Sequence, residues 1–340
     1  MTRPVVVTGA AGYLGNVLCR ELLGSGYAVR ALVHSAHDRR SLDGLPVEIV
    51  EGDVRRPADL DALLGGLGPA AAVLHCAGIV SIAWDVTEEV RQVNVGGTAN
   101  VIDACRRHGI RRLVYTSSVH AIPAGAHGAP IREAARFHPD SVVGGYAKTK
   151  AAATQLVLDA DGPALSTVVV HPSGLVGPGD FGQGPVTALV RDLVTGRLPA
   201  YVDGGYDFVD VRDVGAGMIA ALERGRSGQC YILSGRYLSI EEIVRVTCAA
   251  AGRRPVRRVV PSRVAALVAP GLERVYGWLG RPALVTRYSL HTLAAPARFS
   301  QVKARSELGF APRDPADSLR DTVAWLSEIG VGRKRPGAGC

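Results

Sequence analysis

Short apolar segments alternate with helical stretches over residues 1–172, which predicts an α/β protein built on a doubly wound parallel sheet. A glycine-rich turn joins the first apolar segment to the first helix, as such sheets require for a ligand at the strand ends. Beyond Pro172 the alternation gives way to shorter pieces and a Gly/Pro-rich stretch, Gly177-Pro178-Gly179-Asp180-Phe181-Gly182-Gln183-Gly184-Pro185. At 340 residues the chain can form one large domain or two modest ones.

Val5-Val6-Val7-Thr8 reads as a short strand buried in a parallel sheet. It runs into Gly9-Ala10-Ala11-Gly12-Tyr13-Leu14-Gly15 and then a helix through Leu22. Glycines permit the tight turn and let backbone amides approach a pyrophosphate at the positive helix end. Thr8, Gly9, Gly12, Tyr13, Leu14 and Gly15 are therefore candidate dinucleotide contacts, in a Gly-x-x-Gly-x-x-Gly spacing. The second strand, Val29 to Val33, is followed by His34-Ser35-Ala36-His37-Asp38-Arg39-Arg40. An acid at this strand end would bind the ribose hydroxyls of NAD. None is there, and Arg39 and Arg40 follow within reach of a 2′-phosphate, so NADP(H) is favoured and NAD(H) is the alternative. A plain basic loop would read the same way.

The third strand, Val47 to Val50, leads to Gly52-Asp53-Val54, which places Asp53 and Val54 at the adenine edge. The fourth, Ala71 to His75, ends in Cys76-Ala77-Gly78, small residues that let a cofactor pass closely. The following loop, Ile79 to Trp84, is unusually apolar for a connection; it either lines a substrate pocket or is simply buried. A helix carrying Val93-Asn94-Val95-Gly96-Gly97-Thr98 precedes the fifth strand, Leu113 to Thr116, which ends in Ser117-Ser118. The sixth strand is Thr167 to Pro172. Ligands in such sheets bind at the carboxyl ends of strands, where Gly9, His75, Ser118 and the turn after Pro172 all fall.

Between the fifth and sixth strands stands Gly144-Gly145-Tyr146-Ala147-Lys148-Thr149-Lys150. Tyr146 and Lys150 are four apart and share a helix face. An ammonium beside a phenol stabilises the phenolate and lowers its pKa, so the tyrosine can pass a proton near neutral pH. Surface helices also bring Tyr and Lys together at this spacing.

Composition narrows the classes. A 47% hydrophobic chain rich in Gly and Ala fits a soluble enzyme. No apolar run is long enough for a bilayer and the N-terminus carries no leader pattern, so a cytoplasmic protein with no membrane partner is expected. The six cysteines contain no Cys-x-x-Cys pair, which argues against a disulfide framework or a metal site. The net charge of +8 comes from dispersed arginines without an aromatic-basic motif, so no nucleic acid is expected. A solvated basic surface and an anionic cofactor or substrate explain it instead.

Thr8-Gly9-Ala10-Ala11-Gly12-Tyr13-Leu14-Gly15, Gly52-Asp53-Val54, Thr116-Ser117-Ser118, Tyr146-x-x-x-Lys150 and His171-Pro172-Ser173-Gly174-Leu175-Val176-Gly177-Pro178 stand in family order. Together they resemble an extended short-chain dehydrogenase/reductase over residues 4–328, closest to its dihydroflavonol-reductase-like and 3β-hydroxysteroid-dehydrogenase-like branch. Phe299 to Phe310 and Trp325 match that group as well. The resemblance implies a Rossmann-type sheet over residues 1–172, with a return near 206–226. It implies a smaller mixed α/β substrate domain interleaved over 173–330, and 331–340 reads as a disordered tail.

It further implies Tyr146, Lys150 and Ser118 as the catalytic set, with Ser117 as the alternative serine. Thr116, Ser117, Tyr146 and Lys150 also border the cofactor, and Pro172, Ser173, Gly174 and Val176 embrace the nicotinamide. Asn94 matches a recurrent polar position, read equally as cofactor contact or support. Where this branch often carries Arg at the second strand's end, this chain has His34, which weakens the NADP(H) assignment unless Arg39 or Arg40 compensates. His120 and His171 are read as packing residues.

Nucleotide-sugar enzymes of the superfamily usually have an Asn-containing turn after the sixth strand and an Arg before the Val-Asp-Val-x-Asp element; this chain has His171-Pro172-Ser173-Gly174 and Tyr206-Asp207. A pyrophosphate meeting Asp207 rather than a guanidinium would be disfavoured. Ile82, Trp84 and Phe181 instead suggest a small, partly apolar ketone, aldehyde or alcohol. The expectation is hydride transfer with Tyr146 as proton donor. The rivals are an NAD-retaining epimerase or dehydratase and a non-catalytic nucleotide-binding regulator. A homodimer is what the family implies.

Overall fold

The computed structural model describes residues 3–34, 36–123, 129–267, 269, 271, 286–294 and 298–331. Strands β1 (Pro4–Thr8), β2 (Ala28–Val33), β3 (Glu48–Glu51), β4 (Ala72–His75), β5 (Arg112–Thr116) and β6 (Ser166–Pro172) lie close to their expected bounds. Between them run helices α1 (Tyr13–Gly24), α2 (Pro57–Leu64), α3 (Glu88–Arg91), α4 (Thr98–Arg107) and α5 (Gly145–Asp159). The second half adds β7 (Gly174–Val176), β8 (Tyr201–Val202), β9 (Gly205–Asp210), β10 (Gln229–Leu233), β11 (Arg236–Ser239) and β12 (Val259–Val260). Its helices include α6 (Pro185–Thr195), α7 (Val211–Arg224), α8 (Ile240–Ala250) and the C-terminal segments Arg287–Ala294, Val302–Leu308 and Pro315–Glu328.

Seven strands form one parallel sheet in the order β10-β6-β5-β4-β1-β2-β3. Side chains alternate across it: Val6, Leu113, Tyr115 and Val169 pack beneath α2, α4 and α5, whereas Val5, Val7, Val114 and Val168 pack beneath α1 and α7. Each such fully buried aliphatic side chain contributes about 1.5–3 kcal/mol. The crevice lies where the order reverses, between β1 and β4, and receives the turns after both strands.

One expectation is corrected. Gly205–Asp210 does not rejoin the large sheet; β9 pairs with β7 in parallel and β11 in antiparallel fashion, in a separate three-stranded sheet. The chain returns through α7, capped by the Asp210 carboxylate on the Arg212 N–H, and through β10. The two halves are interleaved by that return. Ser239 caps α8 through the Glu242 N–H at 3.1 Å, as its Ser-Ile-Glu-Glu sequence predicts. Of the expected tail, 332–340 lie outside the described residues.

Candidate active site

Helix α5 begins at Gly144, whose φ of +94° an L side chain rarely adopts and where a Cβ would overlap the Tyr288 ring. The 3.6-residue turn then places Tyr146 and Lys150 on the inward face, both buried. The Ser118 hydroxyl accepts the His120 N–H at 3.2 Å and lies beside the Tyr146 phenol, close enough to act on its pKa. Ser117 faces the other way, its Oγ 2.6 Å from Thr154 Oγ1. Alternation along the strand end thus sends Ser118, not Ser117, to the tyrosine.

Lys150 Nζ donates to the Thr116 carbonyl at 2.7 Å and to the Tyr115 hydroxyl at 3.2 Å, and lies 4.9 Å from the Tyr115 ring centre. Burial lowers the Lys150 pKa to about 8. The Tyr146 phenol is pushed up, first by burial and then by neighbouring Tyr288, while the nearby Ser118 hydroxyl acts in the opposite sense. Lys150 was expected to depress Tyr146; its ammonium is instead engaged with Thr116 and Tyr115, and burial governs the phenol.

Asn94 sits in a π-helical stretch, Gln92–Gly97, between α3 and α4, a local widening frequent at functional sites. Its Oδ1 accepts the Ile79 N–H at 2.8 Å, and its Nδ2 donates to the Ile79 carbonyl at 3.0 Å and to Thr149 Oγ1 at 3.1 Å. The amide ties the loop after β4 to α5, which gives Asn94 a supporting role. Beneath it, His75 bonds Thr8 Oγ1 at 2.6 Å and Thr98 Oγ1 at 3.0 Å, and Thr98 donates to the Asn94 carbonyl at 2.7 Å. Burial lowers His75 to about 3, so this ring is neutral. His75 was visible as the one polar residue in an apolar strand, but its partners were not.

The cradle at the first turn fits a dinucleotide. Gly9 has φ +67°, and a Cβ there would lie 2.7 Å from the Ala77 backbone. Gly12 precedes α1 and no side chain caps that helix, which leaves its N-terminal amides to bind an anion. A Cβ on Gly15 would overlap the Gly9 carbonyl, so Gly15 serves helix–strand packing. Leu14 packs in the core and Tyr13 donates to the Gly177 carbonyl at 2.7 Å, which leaves their backbone for the ligand. Thr8 Oγ1 accepts the Ala77 N–H at 3.2 Å, and Thr116 Oγ1 donates to Cys76 Sγ at 3.4 Å. A Cβ on Gly78 would come within 3.5 Å of Lys150 Nζ, so that turn is adjacent to the lysine.

Where the sequence reading expects the adenine, Asp53 pairs with Arg55 at 2.6 Å and with His34 Nε2 at 3.5 Å, and Val54 packs against Gly97. Arg39 pairs with Glu51 at 2.7 Å on the surface, and Arg40 is exposed. Arg55, which the sequence reading did not single out, is the ion-pair partner that holds Asp53.

Past β6, Ser173 and Val176 are buried and a Cβ on Gly174 would meet the Phe208 ring at 2.7 Å. His171 Nδ1 lies 3.0 Å from the Ser118 carbonyl with its ring stacked on Phe137 at 5.2 Å. Asp207 is buried, accepts the Gly235 N–H at 3.0 Å, and is raised to about 6 by burial.

The apolar loop is anchored to the site: the Trp84 carbonyl accepts the Gly145 N–H at 2.9 Å, and the Ile82 carbonyl accepts from Thr286 Oγ1 at 2.7 Å. The Trp84 ring lies beneath Arg287, 5.3 Å away, and beside His291. Phe181 is not with them; its ring meets Trp325 edge-on at 5.4 Å. The rings around Tyr146 are instead His120, Tyr206 and Tyr288, a cluster joining both lobes that sequence spacing could not assemble. Among the described residues no His, Cys, Asp or Glu cluster suits a metal ion, and no helix is long and apolar enough to cross a membrane.

Residues 5–233 match the family described as the NAD dependent epimerase/dehydratase family. The chain is 34% identical over 332 residues to sterol demethylase protein B of Methylococcus capsulatus, covering 96% of this chain and 99% of that protein. It is 34% identical over 327 residues to 2-alkyl-3-oxoalkanoate reductase of Stenotrophomonas maltophilia, covering 91% and 94% respectively. The crystal structure of gox2253 superposes with a TM-score of 0.83 at 32% identity, covering 98% of this chain and 100% of that one.

Proposed function

The chain belongs to the NAD dependent epimerase/dehydratase family, as an extended short-chain dehydrogenase/reductase, and on that premise we propose that it reduces a ketone or aldehyde of a small, partly apolar substrate, or oxidises the corresponding alcohol. NADP(H) is the proposed coenzyme, with the amides of the Gly9–Gly15 turn on its pyrophosphate and Lys150 on its nicotinamide ribose. When bound it supplies or takes the hydride. Tyr146 gives its hydroxyl proton to the carbonyl oxygen in reduction and removes it in oxidation. Ser118 orients that oxygen and steadies the negative charge developing on it. The placement of the Ser118 hydroxyl beside the buried Tyr146 phenol, with Lys150 one turn along the same helix face, carries this reading.

NAD(H) is the second reading of the coenzyme. It is favoured by the pairing of His34 with Asp53 and of Arg39 with Glu51, which opposes a 2′-phosphate. Arg39 and Glu51 are both largely exposed, however, and such a pair is worth at most about 1 kcal/mol, so a phosphate can displace the carboxylate. Denaturing the purified protein and quantifying the released dinucleotide tests both points. Little bound nucleotide, with NADPH binding more tightly than NADH, is expected. Near-stoichiometric NAD would contradict it and point to a cofactor-retaining epimerase or dehydratase.

A further inference from the structure

His120 stands two residues beyond Ser118 and takes no part in the proton transfer described above. Its two ring nitrogens each meet a phenol of the smaller lobe: Nε2 lies 3.2 Å from the Tyr206 hydroxyl and Nδ1 lies 3.2 Å from the Tyr288 hydroxyl. The ring stacks on Tyr206, with centres 5.5 Å apart and planes 7° from parallel, and sets its edge toward Tyr146 at 6.2 Å. Its own backbone N–H is held by Ser118. One imidazole therefore joins the loop after β5, strand β9 and the Arg287–Ala294 helix, and it does so against the tyrosine of α5.

We propose that His120 is a positioning residue that holds Tyr206 and Tyr288 as one wall of the carbonyl site, and that this wall decides which substrates are accepted. The proposal rests on the reductase reading. A neutral imidazole has one N–H and one lone pair, so it accepts from one phenol and donates to the other. That fixes both rings in a single arrangement, which neither lobe imposes by itself. The titratable groups facing the ring are Tyr146, Tyr206, Tyr288 and His291, with Asp207 beside Tyr206. Burial lowers His120 to about 4, which keeps the ring neutral and the two-sided bond intact at neutral pH. Tyr288 also seats against Gly144, where any Cβ would strike its ring, so displacement of this wall is felt at the start of α5.

His120→Phe keeps a ring and removes both hydrogen bonds. The expected result is unchanged NADPH affinity, a KM for the best carbonyl raised about tenfold, kcat lowered far less, and a changed order of substrate preference. Tyr206→Phe and Tyr288→Phe reproduce part of that effect, and neither adds to His120→Phe, because the bond each removes is already lost. An unchanged KM and substrate order in His120→Phe, or full additivity, overturns the proposal.

Nitrogen NMR of the histidines provides a readout that needs neither turnover nor a folded His120→Phe. Tyr206→Phe and Tyr288→Phe should each shift a different nitrogen of the same ring among the nine histidines. No shift in either variant overturns the bracket. A wild-type protein that shows the bracket and binds NADPH, yet reduces no carbonyl, contradicts the reductase reading and with it the substrate half of this proposal.

Discussion

Side-chain direction, more than residue type, decides the roles of Ser117 and Ser118. Both are buried hydroxyls at the end of β5; the sequence assigned Ser118 to the site with Ser117 as the alternative. Ser117 is spent on Thr154, whereas the Ser118 hydroxyl lies beside the Tyr146 phenol. Ser118→Ala should therefore lower kcat about 100-fold or more with coenzyme affinity retained, the scale of losing one oxyanion donor. Ser117→Ala should cost stability in denaturant but little turnover; equal kinetic losses would contradict the assignment. Lys150 gives a pH prediction. Its folded pKa is about 8 against 10.5 for a free lysine, so the unfolded chain binds the extra proton between those values. Lys150 should thus make stability rise as pH rises through that window, by at most about 3 kcal/mol in the coenzyme-free protein. Urea unfolding of wild type and Lys150→Met across this range checks it, since the wild type should gain stability relative to the variant as pH rises. A constant difference would refute it. The Tyr–Lys pair itself was legible from a four-residue spacing, but the lysine's engagement with Thr116 and Tyr115 was not, because those partners come from another strand.

Elements of the first half were legible because each strand is a short apolar run and each turn is marked by small residues. The destination of β9 was not. Phe208-Val209-Asp210 has the same apolar character whether it pairs within the large sheet or with β7 and β11, and pairing is a tertiary choice. The π-helical stretch around Asn94 was equally hidden, since periodicity does not reveal one extra residue in a turn. Local signals fared better where one side chain decides the outcome. Ser239 caps α8 as its sequence predicts, and Ser239→Ala should cost about 1 kcal/mol in urea unfolding. An unchanged midpoint would show that the cap contributes nothing measurable. Gly144→Ala confronts both a left-handed backbone and the Tyr288 ring, so it should lower stability and turnover together. Loss of neither would mean that Tyr288 can move away freely.

The proposed chemistry draws on both halves of the chain: the glycine turn and Ser118 follow strands of the large sheet, Lys150 stands on α5, and Tyr206 and Tyr288 come from β9 and the Arg287–Ala294 helix. The net charge of +8 suits an anionic coenzyme, although the residues around the expected adenine position include Glu51 and Asp53 as well as Arg39, Arg40 and Arg55. Family, fold and the glycine turn between β1 and α1 were legible in sequence because they depend on contiguous motifs. The ring cluster was not, because it draws on residues 120, 146, 206 and 288. The central claim is that Tyr146 passes the proton while the coenzyme is held by other residues. Its most direct test is NADPH consumption by wild type and Tyr146→Phe over a panel of carbonyl substrates, with NADPH binding followed by fluorescence in both. Turnover by the wild type, loss of at least about 1,000-fold in Tyr146→Phe, and equal NADPH affinity are predicted. Retained turnover in Tyr146→Phe would contradict the account.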